Sequence, residues 1–355
     1  MTARAELSAN QPASADIRSD YLVDQWQTDD GLPQNSATSI AQTPDGYLWF
    51  GTFNGLVRFD GVRFTVFDSA NTPELASSRV TKVYVDDRGA LWTITEFGDL
   101  ARYAEGRFTH FTSKDGLPSD GVVTVGEDCS GNLWISGNRN EGCYRFEDGR
   151  FVLRLKPLAA MKTSSVFAFI PTQEGGFWGA QRGCLIRISP GETAWYMLDI
   201  NHPEAVVETT EPTGGLRVLR GVCRCRDGGL WILAGDGLRQ LRAGHWAKTI
   251  ECPIMFARSF YEDSQGNVWV GTADDGLYRF DAQGGIHRYK FNTDEKDEPV
   301  VSIYEDKERN LWMGTDGAGL YRVKQRTFKT YTSKDGLPAK VVKSVTEDQD
   351  GTIWA

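Results

Sequence analysis

The chain has 355 residues, with 39 basic and 48 acidic side chains for a net charge of −9. It is 40% hydrophobic and 25% charged, a globular composition with enough apolar material for a large core. No basic stripe offers itself to a polyanion, which argues against nucleic acid, and no run approaches the ~18 apolar residues of a membrane span.

Residues 1–20 (MTARAELSANQPASADIRSD) are polar and lack the apolar centre of a signal peptide. They are expected to form a disordered lead-in. Residues 21–28 follow as a strand, because Trp26 stands before Gly31-Leu32-Pro33 as Phe111 stands before Gly116-Leu117-Pro118 and Tyr331 before Gly336-Leu337-Pro338. Those later segments are the outer strands of a repeat, so residues 21–28 read as an outer strand without a repeat of its own.

The repeat organises everything after it. Trp49, Trp92, Trp134, Trp178, Trp231, Trp269, Trp312 and Trp354 recur at spacings of 43, 42, 44, 53, 38, 43 and 42 residues. A glycine lies three residues before each of them except Trp312, where Arg309 stands, and an apolar residue lies nine before. A fixed period of this size marks stacked supersecondary units. Each unit predicts four strands: A, as in Val301–Asp306; B with the tryptophan, as in Leu48–Thr52; C, as in Gly55–Phe59; and D, as in Arg63–Asp68 or Arg107–Thr112. The A–B turns (Asp45-Gly46, Arg88-Gly89, Gln265-Gly266, Asp350-Gly351) carry the residues that hairpin turns require.

Strand B is apolar on both faces, so each sheet needs a cover on both sides. The predicted fold is therefore an all-β, seven-bladed β-propeller of four-stranded antiparallel blades over residues 21–333. The outer strand at 21–28 is expected to close the ring on the unit around Trp312, which removes a free sheet edge. Residues 334–355 then read as the truncated start of an eighth repeat or a second propeller, in a fragment of a longer chain.

These units resemble the two-component regulator propeller repeat. The likeness rests on Asp-Gly-Leu-Pro at 30–33, 115–118 and 335–338, on Glu-Asp-x-x-Gly-x-x-Trp at 262–269 and 347–354, and on Trp-x-Gly-Thr…Gly-Leu-x-Arg-Phe at 49–59 and 269–280. The resemblance implies a sensor domain of a bacterial signal-transduction receptor, periplasmic or extracytoplasmic. It also implies a small-molecule or oligosaccharide ligand, a downstream output domain outside this sequence, and a homodimer.

Repeated residues are scaffold. Arg58, Arg102, Arg145, Arg187, Arg239, Arg279 and Arg322 recur once per unit, and each is expected to pack along its blade and pair with an acid such as Asp86, Asp128, Asp263 or Asp306. Recognition belongs where the repeat breaks, on loops projecting from a rigid frame. The B–C loops differ in every unit, and with the D–A connections they should surround one mouth of the ring. The candidate ligand-binding residues are Phe53, Asn54, Glu96, Phe97, Arg139, Asn140, Gln181, Arg182, Asp236, Asp274, Asp275 and Asp316. Some ten inserted residues around Asn201–Gly215, with His202, Glu204, Glu208 and Glu211, read as a tolerated surface insertion on the same face, with a lid or partner-docking loop as the alternative.

An enzyme is the competing class. Trp-Thr-Ile-Thr-Glu at 92–96 also resembles repeats of the streptogramin-cleaving lyases, which use a histidine, glutamates and a divalent metal. Catalysis needs titratable groups held together. The four histidines are expected at blade rims (His110, His287), in a C–D turn (His245) and in the insertion (His202), none in a B–C loop. No catalytic residue, metal ligand or cofactor is assigned. A protein-interaction propeller is the third reading, since propeller faces serve proteins and small molecules alike. Cys129, Cys143, Cys184, Cys223, Cys225 and Cys252 show no disulfide or zinc spacing and are expected to be free thiols.

Overall fold

A computed structural model describes residues 12–156, 166–171, 176–181, 184–189, 192–198, 206–209, 221–234, 237–242, 245–252, 254, 256–291, 298–326, 333, 336–337, 341–350 and 352–354. Among them lie seven sheets of four or five strands and one two-stranded hairpin, and no α-helix. No helix of the described residues is long and apolar enough to cross a membrane. The architecture is an all-β propeller of four-stranded antiparallel blades. The first blade is typical, a meander of Ser39–Gln42, Leu48–Thr52, Gly55–Phe59 and Phe64–Phe67.

Burial explains the period. Leu48–Thr52, Leu91–Thr95, Leu133–Gly137, Leu230–Ala234, Val268–Thr272 and Leu311–Thr315 are buried along their whole length. Their tryptophans fill the seams between neighbouring blades. Trp92 packs with Val122, Leu133 and Ile135 of the next repeat, and Trp49 with Val80, Val83 and Leu91. Trp312 packs with Ile40, Leu48 and Phe50, so the last of these sheets meets the first.

One turn is built five times. The carboxylate six residues before the tryptophan takes the indole N–H: Asp86 from Trp92 at 2.8 Å, Asp128 from Trp134 at 2.9 Å, and Asp263, Asp306 and Asp348 from Trp269, Trp312 and Trp354 at 2.7 Å. Its other oxygen accepts turn N–H groups, as Asp263 does from Gln265 and Asn267. At Asp86, Asp128, Asp263 and Asp306 the carboxylate thereby satisfies donors that would otherwise be buried without a partner. These acids do not pair with the repeated arginines, which corrects that expectation. The guanidinium groups of Arg58, Arg102, Arg279 and Arg322 lie over aromatic faces instead, Arg102 at 5.7 Å from Trp92 and Arg279 at 6.0 Å from Trp269. Arg322 also pairs with Asp24 at 2.7 Å, and Arg145 with Glu147 at 2.6 Å. Arg239 does not belong to the series: the register sets Gln240 opposite Trp231, one position after it.

Polar clasps tie blade to blade. Gln42 Oε1 accepts the Lys307 N–H at 2.9 Å, Glu127 that of Asp87 at 2.9 Å, Glu262 that of Arg226 at 2.8 Å and Glu305 that of Ser264 at 2.6 Å. In each case an A strand holds the A–B turn of the preceding blade, and the Gln42–Lys307 contact joins first to last.

The N-terminal segment extends two blades. Tyr21–Trp26 pairs antiparallel with Leu320–Gln325, and Trp26 stacks on Trp312 with ring centroids 5.3 Å apart. Ser14–Asp16 adds a parallel outer strand to Ile286–Lys290. Residues 14–20 are therefore structured, a correction to the disordered lead-in. Ile17, the apolar side chain next to this strand, is fully buried against the Trp269 and Trp312 blades. In the insertion, Val206–Thr209 pairs with Glu192–Leu198 as a fifth, outer strand. His202, Glu204 and Glu211 lie outside the described residues, and Glu208 is described through its backbone only.

Candidate functional site

The Gly-Thr pair that follows the repeated tryptophan builds the mouth. At Gly314 an added Cβ would collide with the Ala37 carbonyl and Ser302 Oγ, so only glycine lets the next blade's A strand come this close. The threonine then shapes the B–C loop: Thr52, Thr272 and Thr315 donate to the carbonyls of Gly55, Gly276 and Gly319 at 2.7–2.8 Å. Their hydroxyls in turn accept the N–H of Asn54, Asp275 and Ala318.

B–C loops and D–A connections are stitched to one another. Glu96 donates its N–H to Arg79 O at 2.9 Å, Asn138 to Gly121 O at 2.9 Å, Ala273 to Phe256 O at 3.0 Å and Asp316 to Pro299 O at 3.0 Å. Links between repeats continue the rim, from Val122 N–H to Gly98 O and from Gly317 N–H to Asn35 O, both at 2.9 Å.

Several candidate residues come together on this rim. The Arg79 guanidinium lies 4.5 Å over the Phe53 ring and its Nε is 2.5 Å from Glu96 Oε1. Phe97, next to Glu96, is 69% exposed. Asn54 is fastened to Pro33 O at 3.3 Å, and Phe53 donates its N–H to Gln34 Oε1 at 3.0 Å.

Other candidates are committed to the frame. Asp275 accepts from the Tyr278 hydroxyl and the Arg288 guanidinium, and Asp316 from Ser36 Oγ at 2.9 Å. Arg139 is 3.6 Å from Asp120, while Asp274 is exposed beside Asp275. Asn140 and Gln181 are described through their backbones only, and Arg182 and Asp236 lie outside the described residues.

Sequence reasoning missed Arg79, Phe256 and Lys82. Arg79 and Phe256 stand just before A strands, outside the B–C loops whose variation marked the candidates; Phe256 is 51% exposed. Lys82 sits within the A strand Val80–Val85 and donates to Thr124 Oγ1 of the next blade. Burial without a carboxylate partner pushes its ammonium down to about 8. A lysine among Ser39, Thr124, Ser259 and Ser302 at the matching distance from their tryptophans was the available signal.

Among the described residues no group of three His, Cys, Asp or Glu side chains could hold a metal ion. His287, on the strand Ile286–Lys290, has its Nε2 2.9 Å from Asp281 Oδ2. The thiols of Cys129, Cys143, Cys223, Cys225 and Cys252 are free, and Cys184 is described without its side chain. Burial raises Cys143 and Cys225 to about 12 and Cys252 to about 11, which leaves them unreactive as nucleophiles at neutral pH.

Fold and repeats define the class: an all-β propeller built of tandem four-stranded repeats. Residues 31–54, 253–274 and 294–317 match the family described as two component regulator propeller, and the chain carries repeats of that family. No curated protein matches the sequence. Among solved structures, the extracellular domain of BT3049 from B. thetaiotaomicron, described as a hybrid two component system, aligns over 94% of this chain at 23% identity with a TM-score of 0.66. That alignment covers 46% of BT3049, so the present chain spans under half of that relative. A streptogramin B lyase aligns over 88% of this chain and all of its own at 16% identity, TM-score 0.65. YCF48 bound to D1 peptide aligns over 86% of this chain and 97% of its own at 14% identity, TM-score 0.61. At these identities the likeness is one of fold.

Proposed function

We propose that this chain is the ligand-binding sensor domain of a bacterial signal-transduction receptor, a ring of seven blades that takes a small-molecule or oligosaccharide ligand at the mouth formed by B–C and D–A loops. The observation that carries the reading is the rim cluster of Phe53, Arg79, Glu96 and Phe97, where an exposed aromatic ring adjoins an oriented guanidinium–carboxylate pair. A sugar ring presents C–H faces to an aromatic plane and hydroxyls to charged groups, so the chemistry is complementary.

The seven-blade count rests on the seven multi-stranded sheets and on the clasp from Lys307 back to Gln42. Residues 21–333 form the ring in this reading, and 334–355 begin a further repeat. Trp354 supports the latter: its turn with Asp348 is formed, yet the ring is 61% exposed where the equivalent Trp269 is fully buried. An extracytoplasmic location, a homodimer and a downstream output domain complete the proposal, supported by the regulator repeats and by the extracellular setting of BT3049.

The lyase likeness supplies the rival reading. Calorimetric titration with oligosaccharides and small organic acids, followed by Arg79→Ala and Phe97→Ala, separates the two. Binding should weaken at least tenfold in each variant with the melting temperature within about 2 °C of the parent, as for a surface substitution. Turnover of a bound ligand, or unaltered binding in both variants, would overturn the assignment.

A further inference from the structure

The Trp231 blade breaks the repeat at two positions that meet in space. Where five other repeats place the carboxylate that accepts the indole N–H, this one has Cys225, and Trp231 Nε1 is buried with no hydrogen-bond partner. Where Arg58, Arg102, Arg145, Arg279 and Arg322 stand opposite their tryptophans, this one has Gln240. The Gln240 amide donates toward Cys225 Sγ at 3.5 Å and, with the Trp231 ring, forms part of a cleft wall. A cleft of about 230 Å³ opens there between the Trp231 and Trp269 blades, on the side of the A–B and C–D turns.

The wall chemistry is asymmetric. The inner wall is apolar, with Val268 and Phe280 each 1% exposed. The acids at the rim are already engaged: Asp227 by the Arg242 guanidinium, Glu262 by the Arg226 N–H at 2.8 Å, and Asp281 by His287 and by the Gly285 N–H. The donors are not. Lys248 Nζ has only a long contact of 3.5 Å to Ala282 O, and the Trp231 N–H has none.

We propose that this cleft is a second binding site, distinct from the mouth, for a compact monocarboxylate with an apolar body, its carboxylate taken by Lys248 and the Trp231 indole N–H. A carboxylate supplies the acceptor that Cys225 withholds, and the apolar body replaces the missing arginine stem. The mouth is not needed for this inference, which stands on the broken repeat alone.

Titration of the protein with benzoate and hexanoate, and with benzyl alcohol and hexanol as uncharged counterparts, tests it. The readout is the Trp231 indole N–H resonance, assigned by its loss in Trp231→Phe. The acids should shift that resonance saturably, and the alcohols should bind at least tenfold more weakly. Lys248→Gln should lower acid affinity about tenfold, the scale of one charge-assisted hydrogen bond. Gln240→Arg and Cys225→Asp each restore the residue of the other repeats and should abolish the shift, while Phe97→Ala leaves it intact. Absence of a saturable shift, equal binding of acids and alcohols, or unchanged binding in a folded Gln240→Arg or Cys225→Asp protein would overturn the proposal.

Discussion

Asp263 accepts four N–H bonds, from the Trp269 indole, the Gln265 and Asn267 backbones and the Asn267 amide, at 2.7–2.9 Å. Its loss orphans donors in a buried turn, each costing ~1–3 kcal/mol without full additivity. Asp263→Ala should therefore destabilise the protein by about 2–4 kcal/mol, approaching the ~3–5 kcal/mol of Trp269→Ala; urea unfolding of both variants checks the comparison. This pairing also shows why the arginine series was misread from sequence. Charge complementarity suggested Arg–Asp pairs, but the indole N–H sits six residues along the same hairpin and reaches the carboxylate first.

Blade-to-blade contact depends on close backbone approach. Gly314→Ala would push a methyl group into Ser302 Oγ of its own A strand and the Ala37 carbonyl that leads into the first blade, two groups hydrogen-bonded to each other. The expected cost is about 1–3 kcal/mol, as for overpacking, and it should be accompanied by earlier proteolysis of the N-terminal strand, since that seam joins the first and last of these sheets. Gly-Thr was legible as part of a family-like motif, but its reason was not. The glycine serves a neighbour some 275 residues away in the chain, and such a contact leaves no local trace. Arg309 illustrates the reverse: it holds the left-handed backbone (φ 64°) that Gly46, Gly89 and Gly266 hold elsewhere, so the turn survives the missing glycine.

At the scale of the whole molecule, one pH dependence comes from the buried Lys82. Its ammonium is stabilised less in the folded protein than in the unfolded chain, with a folded value of about 8 against an ordinary 10.5. Below about 8 both states carry the proton and the burial penalty is complete. Between about 8 and 10.5 the unfolded chain binds more protons, so this lysine's contribution makes stability rise with pH. Lys82→Met should raise the unfolding midpoint at pH 7 and flatten its rise between pH 8 and 10. An unchanged slope would mean that the ammonium is hydrated through the channel.

The candidate rim was half legible. Phe53, Glu96 and Phe97 follow from asking where the repeat varies, because invariant positions serve packing. Arg79 did not follow, since it becomes part of the cluster only when the connection before its A strand folds back over the B–C loop. Sequence alone determined the period, the strand carrying each indole and the placement of variable loops, because burial on both faces of a strand must recur wherever sheets stack. Tertiary structure decided which side chain each carboxylate serves, that Ile17 is buried between two blades, and that Gln240 and Trp231 line one cleft. Those outcomes depend on distances between residues remote in sequence, which no spacing along the chain encodes.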